Sequence, residues 1–267
     1  MRIYHPQVPF QGLPQENVFF VANDVGIQQG MGSIIPFYQP ELFPHQPVNL
    51  YIELDAPERY RHVLLGGLIA RAMQLHSQTP HLAGRIYSQV SVNDQSSLAF
   101  WEDNGFSLDD AEDQIRFSSS FIPSRIPMGC TINGISLQTL YEQEAFLQRV
   151  NHYRISSIDI HFLGRLMQQP HFLPLGVFRG NEIVAEMLLS GHGNQANLIS
   201  LYVQSPYRRM GIGKTLLHRG LTILYDQGVT QCDGLILRRS EAQKGFAKSI
   251  HATFIRTTAY YPGMNLR

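Results

Sequence analysis

Two glycines and three basic residues stand close together in "PYRRMGIGKTLLHRG", a stretch in the second half of the chain. Gly211 and Gly213 carry no side chain that would block an approach to their main-chain amides. A helix that begins near Gly213 adds free amides and the positive end of its dipole. Arg208, Arg209 and Lys214 supply counter-charge. This combination is suited to binding a phosphate or a diphosphate.

Two well-known nucleotide-binding patterns do not fit this stretch. A P-loop has the form G-x-x-x-x-G-K-[ST], but Arg208 stands where its first glycine belongs. A dinucleotide fingerprint, G-x-G-x-x-G, needs a third glycine where this chain has Leu216. The sequence therefore argues against a Walker-type ATPase and against a dinucleotide-binding site.

The pattern that does fit is [QR]-x-x-G-x-[GA], which the residues "RRMGIG" satisfy. With its flanks, "LYVQSPYRRMGIGKTLL" resembles the acetyl-CoA diphosphate loop of the Gcn5-related N-acetyltransferase (GNAT) superfamily. The alternative interpretation is a helix N terminus flanked by ordinary surface arginines. The resemblance implies that the diphosphate of acetyl-CoA is bound by Arg208, Arg209, Met210, Gly211, Ile212, Gly213, Lys214 and Thr215.

The resemblance also gives a role to the strand that precedes the loop. In the superfamily this strand carries a bulge that separates it from the next strand, and the pantetheine arm pairs with its exposed main chain. By position, the contacts are Leu201, Tyr202 and Val203. An amide there would stabilise the oxyanion that forms when an amine attacks the thioester. The implied activity is direct transfer of an acetyl group from acetyl-CoA to an amine in a ternary complex.

The sequence indicates the residues that would transfer protons less clearly than it indicates the cofactor loop. Direct transfer needs a deprotonated amine and a proton for the departing thiolate. Where the superfamily often has a tyrosine acid, this chain has Ser249. His251 is a candidate acid because the unperturbed pKa of histidine lies near neutrality, and Glu186 is a candidate base on the preceding strand. The alternative interpretations are an ordinary histidine on a helix and a solvated carboxylate on an alternating strand.

The elements that would position these residues occur twice. "NLYIELDAPERYRHVLLGGLIARAM" in the first half parallels "NLISLYVQSPYRRMGIGKTLLHRGL" in the second, each as a strand, a proline-containing turn and a helix. In this register Gly211 corresponds to Val63 and Gly213 to Leu65, whose branched side chains would obstruct a phosphate. We therefore interpret the first half as a degenerate copy that does not bind the cofactor in the usual manner.

The repeat predicts a chain with two domains. Two helical stretches, "SLQTLYEQEAFLQRVNHY" and "SSIDIHFLGRLMQQ", occur in the second half and have no counterpart in the first. The proline-bearing run "SSSFIPSRIPMG" is the expected joint. We predict an α/β (α+β) protein with two GNAT-like domains, each a mixed, mainly antiparallel sheet flanked by helices. Residues 1–125 would form the degenerate domain without the first helices, and residues 126–267 the acetyl-CoA-binding domain.

The composition limits which partners and which cellular compartment we expect. Lys plus Arg equals Asp plus Glu at 21 each, so we expect neither nucleic acid nor a membrane surface as a partner. Cys130 and Cys232 form no CxxC pair, and the histidines form no H-x-x-x-H cluster, so no metal site is expected. The default compartment is the cytoplasm.

The sequence leaves three matters open. The acceptor is a small-molecule or a peptide amine, and a homo-oligomer is an open expectation. The alternative function is a non-catalytic acyl-CoA-binding or assembly module, because the usual acid of the superfamily is missing at Ser249.

Overall fold

The structure is a computed structural model that describes residues 1–118, 120–154 and 157–266. The described residues form these strands and helices, in chain order: β1 (Arg2–Tyr4), β2 (Val18–Ala22), β3 (Gln28–Tyr38), β4 (Val48–Asp55), α1 (Glu58–His76), β5 (Gly84–Tyr87), β6 (Val90–Ser91), α2 (Gln95–Asp103), β7 (Ala111–Phe117), β8 (Cys130–Gly134), α3 (Leu140–Asn151), α4 (Ile160–Met167), β9 (His171–Arg179), β10 (Glu182–His192), β11 (Gln195–Val203), α5 (Ile212–Asp226), β12 (Gln231–Leu237), α6 (Glu241–Ser249), β13 (Thr253–Tyr260) and β14 (Gly263–Leu266). None of the described helices has both the length and the apolar character needed to cross a bilayer.

The chain divides into two compact units. The first comprises Met1–Glu112 and Thr257–Arg267, and the second comprises Asp113–Arg256. These bounds differ from the predicted division after residue 125. The physical reason for the C-terminal difference is strand pairing, because β14 pairs with β5 of the first unit.

The first unit is built on a sheet with the strand order β1-β2-β3-β4-β5-β14. β4 and β5 run parallel, and the other neighbours run antiparallel. Leu50 and Ile52 of β4 form one buried cluster with Leu64 and Leu68 of α1. Alternate residues of the strand therefore hold the helix against one face of this sheet.

α1 begins earlier than the repeat predicted. Pro57 is its N-cap residue and Glu58 its first helical residue, a place where proline is tolerated because its missing N–H would have no helical partner. The repeat predicts a proline-containing turn that includes a tyrosine and an arginine, whereas Tyr60 and Arg61 lie inside α1. The predicted turn is therefore wrong for the first half, where only two residues, Ala56 and Pro57, separate β4 from α1.

The second unit contains the strand order β7-β12-β11-β10-β9-β8. β11 and β12 run parallel, whereas β10 pairs antiparallel with both β9 and β11. Met187 and Leu189 of β10 pack in the cluster that contains α5, and Leu188 packs in the cluster that contains α3 and α4. Because side chains alternate along a strand, α5 and the α3–α4 pair cover opposite faces of this sheet.

Local capping explains where α3 and α4 begin. Thr139 and Glu142 form a capping box at the start of α3, and Asp159 accepts a hydrogen bond from the Phe162 amide at the start of α4. Such side chains bond amides that have no partner within the helix. Both predicted helical stretches of the second half are helices, and the predicted α/β class with mixed, mainly antiparallel sheets is confirmed.

Candidate functional site

β11 and β12 pair over a short distance and then separate. The parallel register joins Gln195–Leu198 to Gln231–Gly234, although β11 continues to Val203 and β12 to Leu237. The register between β10 and β11 shifts between Leu188 and Leu189 and makes Ile199 an extra residue. Such a bulge bends its strand and increases the twist. The end of β11 therefore borders a gap between two parallel strands, as the resemblance implied.

The three predicted pantetheine contacts lie at the edge of this gap. Leu201 and Val203 pack against the cluster that contains α5. Tyr202 points to the opposite face, where its ring stacks on that of Tyr153 at a centroid distance of 3.4 Å. The side chains thus anchor the strand on both faces and leave its main chain at the edge.

The loop after β11 turns sharply into α5. Arg209 and Gly211 have positive φ values of 64° and 80°, and Gly211 is the N-cap residue of the helix. A positive φ is readily adopted by glycine. The Thr215 amide donates to the Gly211 carbonyl at 3.0 Å. The amides of residues 212–214 precede this first helical bond and have no intrahelical partner, so they can bind an anion.

Gly213 lets the start of α5 approach the end of β11. A β-carbon at this position would lie 3.3 Å from Cγ2 of Val203 and 3.5 Å from the ring of Phe246. Both distances leave little room for a larger side chain. Glycine therefore keeps the helix N terminus beside the gap.

The basic residues of the loop have different surroundings. Arg208 donates from Nε to the Val203 carbonyl at 2.9 Å, and its guanidinium lies 5.6 Å from the centre of the Tyr202 ring. Lys214 lies 5.6 Å from the centre of the Phe121 ring. Arg209 and Met210 are exposed. The positive charges thus surround the glycine turn, with Arg208 also holding the end of β11.

The segment around Ser124 borders the loop, a contact that the sequence did not predict. The Thr215 hydroxyl donates to the Ser124 carbonyl at 2.6 Å and to the Gly211 carbonyl at 3.2 Å. The Ser124 side chain lies against the α-carbon of Gly211, in the space that a β-carbon there would occupy. Phe121, only 3% exposed, anchors the segment in the apolar cluster. The proline and serine content of this segment predicted a joint between two domains. No local sequence pattern predicted its contact with Gly211 and Thr215.

Glu186 is buried beside the open end of β11. It lies opposite Tyr202 in the register and is 1% exposed. Arg149 of α3 donates from Nε to both carboxylate oxygens, at 2.9 and 3.1 Å. Burial raises the pKa of Glu186, and the Arg149 charge opposes this effect. The predicted solvated alternative is wrong for this residue, because the structure places the carboxylate inside a salt bridge.

His251 occupies a different setting. It is exposed in the turn after α6, has a φ of 54°, and its amide donates to the Lys248 carbonyl at 3.2 Å. Ser249, at the position of the missing tyrosine, donates its hydroxyl to the Phe246 carbonyl at 2.7 Å. The described contacts bring neither side chain to Glu186.

The sequence of this region also matches a family model. Residues 137–250 match the acetyltransferase (GNAT) family. This part of the chain is a GNAT domain. The match contains β11, the glycine loop, α5 and α6, together with Glu186, and it ends one residue before His251. None of the curated proteins matches the chain.

Solved structures resemble the fold of both units at low sequence identity. A GCN5-related N-acetyltransferase from Sphaerobacter thermophilus matches with a TM-score of 0.51 and 15% identity, over 96% of this chain and 83% of that chain. A conserved protein of unknown function from Enterococcus faecalis V583, described as a probable N-acyltransferase, matches with a TM-score of 0.54 and 8% identity, over 92% and 61%. The N-terminal region thus resembles a second GNAT fold, and the predicted resemblance is confirmed.

Proposed function

We propose that this protein transfers the acetyl group of acetyl-CoA directly to an amine. The observation that carries the proposal is the glycine-opened start of α5 at the end of a strand that has separated from its parallel neighbour. A diphosphate fits the amides of residues 212–214, with Arg209 and Lys214 as counter-charges. Gly213 supplies the space that a larger residue would fill.

The edge of β11 is the proposed position of the pantetheine arm. Its main chain beyond Leu198 has no partner in the register with β12, so an extended amide-bearing chain can pair with it as an added strand. The gap closes where pairing begins, close to the bulge at Ile199. The acetyl group would therefore lie beside Ile199, where an amide can bind the oxyanion.

Glu186 is the proposed general base. A carboxylate with a raised pKa takes up a proton more readily than an ordinary one, and burial raises the pKa of Glu186. The amine loses one proton as its nitrogen bonds to the acetyl carbon. The C–S bond breaks with its electron pair on sulfur, and the thiolate takes up one proton. His251 is the proposed donor, acting from the turn after α6.

One observation favours a second function, a non-catalytic acyl-CoA-binding or assembly module. Ser249 stands where the superfamily often has its acid, and its hydroxyl is bonded to the Phe246 carbonyl. A module of this kind would need the cofactor site but no proton donor.

Two measurements on the full chain separate these functions. Calorimetry with acetyl-CoA tests the cofactor site, and release of CoA thiol across a broad panel of amines tests turnover. Binding with amine-dependent thiol release supports the transferase. Binding without release from any amine supports the module, and the absence of any heat of binding overturns both.

A further inference from the structure

A groove of about 440 Å³ lies on the α4 side of the sheet in the second unit. It is formed by α4, by the end of β10 and by the first part of β11. Among its lining residues are Phe162, Arg165, Ser190, His192, Asn197 and Ile199. Ile199 is the bulge residue beside the proposed acetyl position, so this groove begins where the reaction would take place.

The strand geometry shows that the groove runs along β10, from the bulge towards His192. Leu188 packs against α3 and α4, so Ser190 and His192, at alternate positions further along β10, point to the same face. In the register Ser190 lies opposite Asn197, and His192 lies opposite Gln195. At about 3.3 Å per residue, the groove extends roughly 10 Å along the strand from the bulge to His192.

The lining of the groove is neutral or positive. No lining residue carries a carboxylate among those that the structure describes. The Arg165 guanidinium lies 5.3 Å from the centre of the Phe162 ring. Arg116, Arg149 and Arg238 each pair with a carboxylate, whereas no described carboxylate pairs with Arg165. A guanidinium beside hydrogen-bonding side chains is suited to a planar carboxylate.

We propose that the groove binds the acceptor and that the acceptor is an amine that carries a carboxylate. This inference rests on the proposed function. The amine lies at the Ile199 end, beside the acetyl carbon, and the carboxylate binds Arg165 further along the groove. The product is an N-acetyl compound that keeps its carboxylate, formed together with CoA thiol.

The test compares acids with their amides. Saturation-transfer NMR and calorimetry measure binding of free amino acids and dipeptides to the full chain, each probe as the C-terminal acid and as the C-terminal amide. Measurements are made with and without saturating CoA. We expect the preferred acid to bind about tenfold or more tightly than its amide, as one charge-assisted contact would give.

Arg165→Gln is the test variant, and Arg219→Gln is the matched control. Both arginines are exposed, and Arg219 lies on α5, which covers the opposite face of the sheet. Arg165→Gln should remove the preference for the acid, while Arg219→Gln should keep it. A thermal unfolding curve checks that each variant is folded.

Several outcomes would overturn the inference. These are equal binding of acid and amide, a preference that Arg165→Gln leaves unchanged, and a lack of binding by every probe. Acetyl-CoA calorimetry on the same preparation reports separately on the proposed function. If acids bind selectively but acetyl-CoA does not bind, the assignment of the groove to an acceptor fails together with the transferase.

Discussion

The two units share a parallel strand pair and differ in the connection between its first strand and the next helix. β4 pairs with β5 over Val48–Tyr51, and β11 pairs with β12 over Gln195–Leu198, which is the same length. Two residues then join β4 to α1, whereas residues 204–211 join β11 to α5. The longer connection contains the turn after which the amides of residues 212–214 have no intrahelical partner. Loop length therefore distinguishes the units more than the residues of the helix do.

This difference in connection length changes the physical explanation for the degeneracy of the first half. Val63 and Leu65 do not obstruct a phosphate loop, because both lie inside α1 and no such loop exists there. Glu58 in the first turn places a carboxylate at the helix N terminus, where an anion would otherwise be favoured. The acidic residues Glu53 and Asp55 line the cleft beside the open end of β4. The first unit thus has a parallel strand pair of the same length, while its helix follows the strand directly and begins with an acidic residue.

The largest expected effect comes from replacing the two glycines at the start of α5. Gly211→Val combined with Gly213→Val should weaken acetyl-CoA binding by more than roughly 100-fold. Valine disfavours the positive φ of residue 211, and at residue 213 it would press on Val203. Calorimetry measures the affinity.

Val63→Ala is the control for the glycine variant, because Val63 occupies the corresponding position in the first unit. We expect its affinity for acetyl-CoA to match that of the unaltered protein. Unchanged binding in the double glycine variant would remove the assignment of the loop.

The second prediction concerns the charge beside Glu186. Arg149→Met removes the positive charge that opposes the effect of burial, so the pKa of Glu186 should rise further. Because the base acts when deprotonated, kcat/KM increases with pH through this pKa. The acidic limb of the pH–rate profile should therefore move to higher pH in the variant.

Arg149→Lys keeps a positive charge and should move that limb less. If the limb stays in place in Arg149→Met while the variant is folded, Glu186 is not the base.

A smaller effect, on stability, is expected when the hydrogen bond between Thr215 and the Ser124 segment is removed. Thr215→Val keeps the shape of the side chain and removes the hydroxyl that donates to the Ser124 carbonyl. The free energy of unfolding should fall by about 1 kcal/mol. Denaturant unfolding measures it, with Thr222→Val as a control on the same helix, where the hydroxyl donates to the helical carbonyl of His218. An equal loss in both variants would show that the Ser124 contact adds no stability.

The smallest effect is expected in the first unit. Glu53→Gln with Asp55→Asn removes two exposed carboxylates from its cleft. Acetyl-CoA affinity should stay within about twofold, because neither residue belongs to the proposed site and exposed substitutions outside a site have small effects. The measurement is the same calorimetric titration. A clear change in affinity or in the number of bound acetyl-CoA molecules would show that the first unit takes part in binding.

The sequence by itself determined the local features of the site. The glycine spacing, the basic flanks and the helix start near Gly213 depend on neighbouring residues, since they follow from dihedral preferences and helix geometry. The same holds for the predicted helices α3 and α4 and for the α/β class. These features were predicted because each is encoded within a few turns of chain.

Tertiary structure alone decided what depends on distant partners. The pairing of Arg149 with Glu186 and of Thr215 with Ser124 joins residues 37 and 91 positions apart, and the pairing of β14 with β5 places the end of the chain in the first unit. Such contacts depend on how the strands are ordered and where their pairing stops. No local sequence pattern predicts the strand order, because it results from packing of the whole sheet.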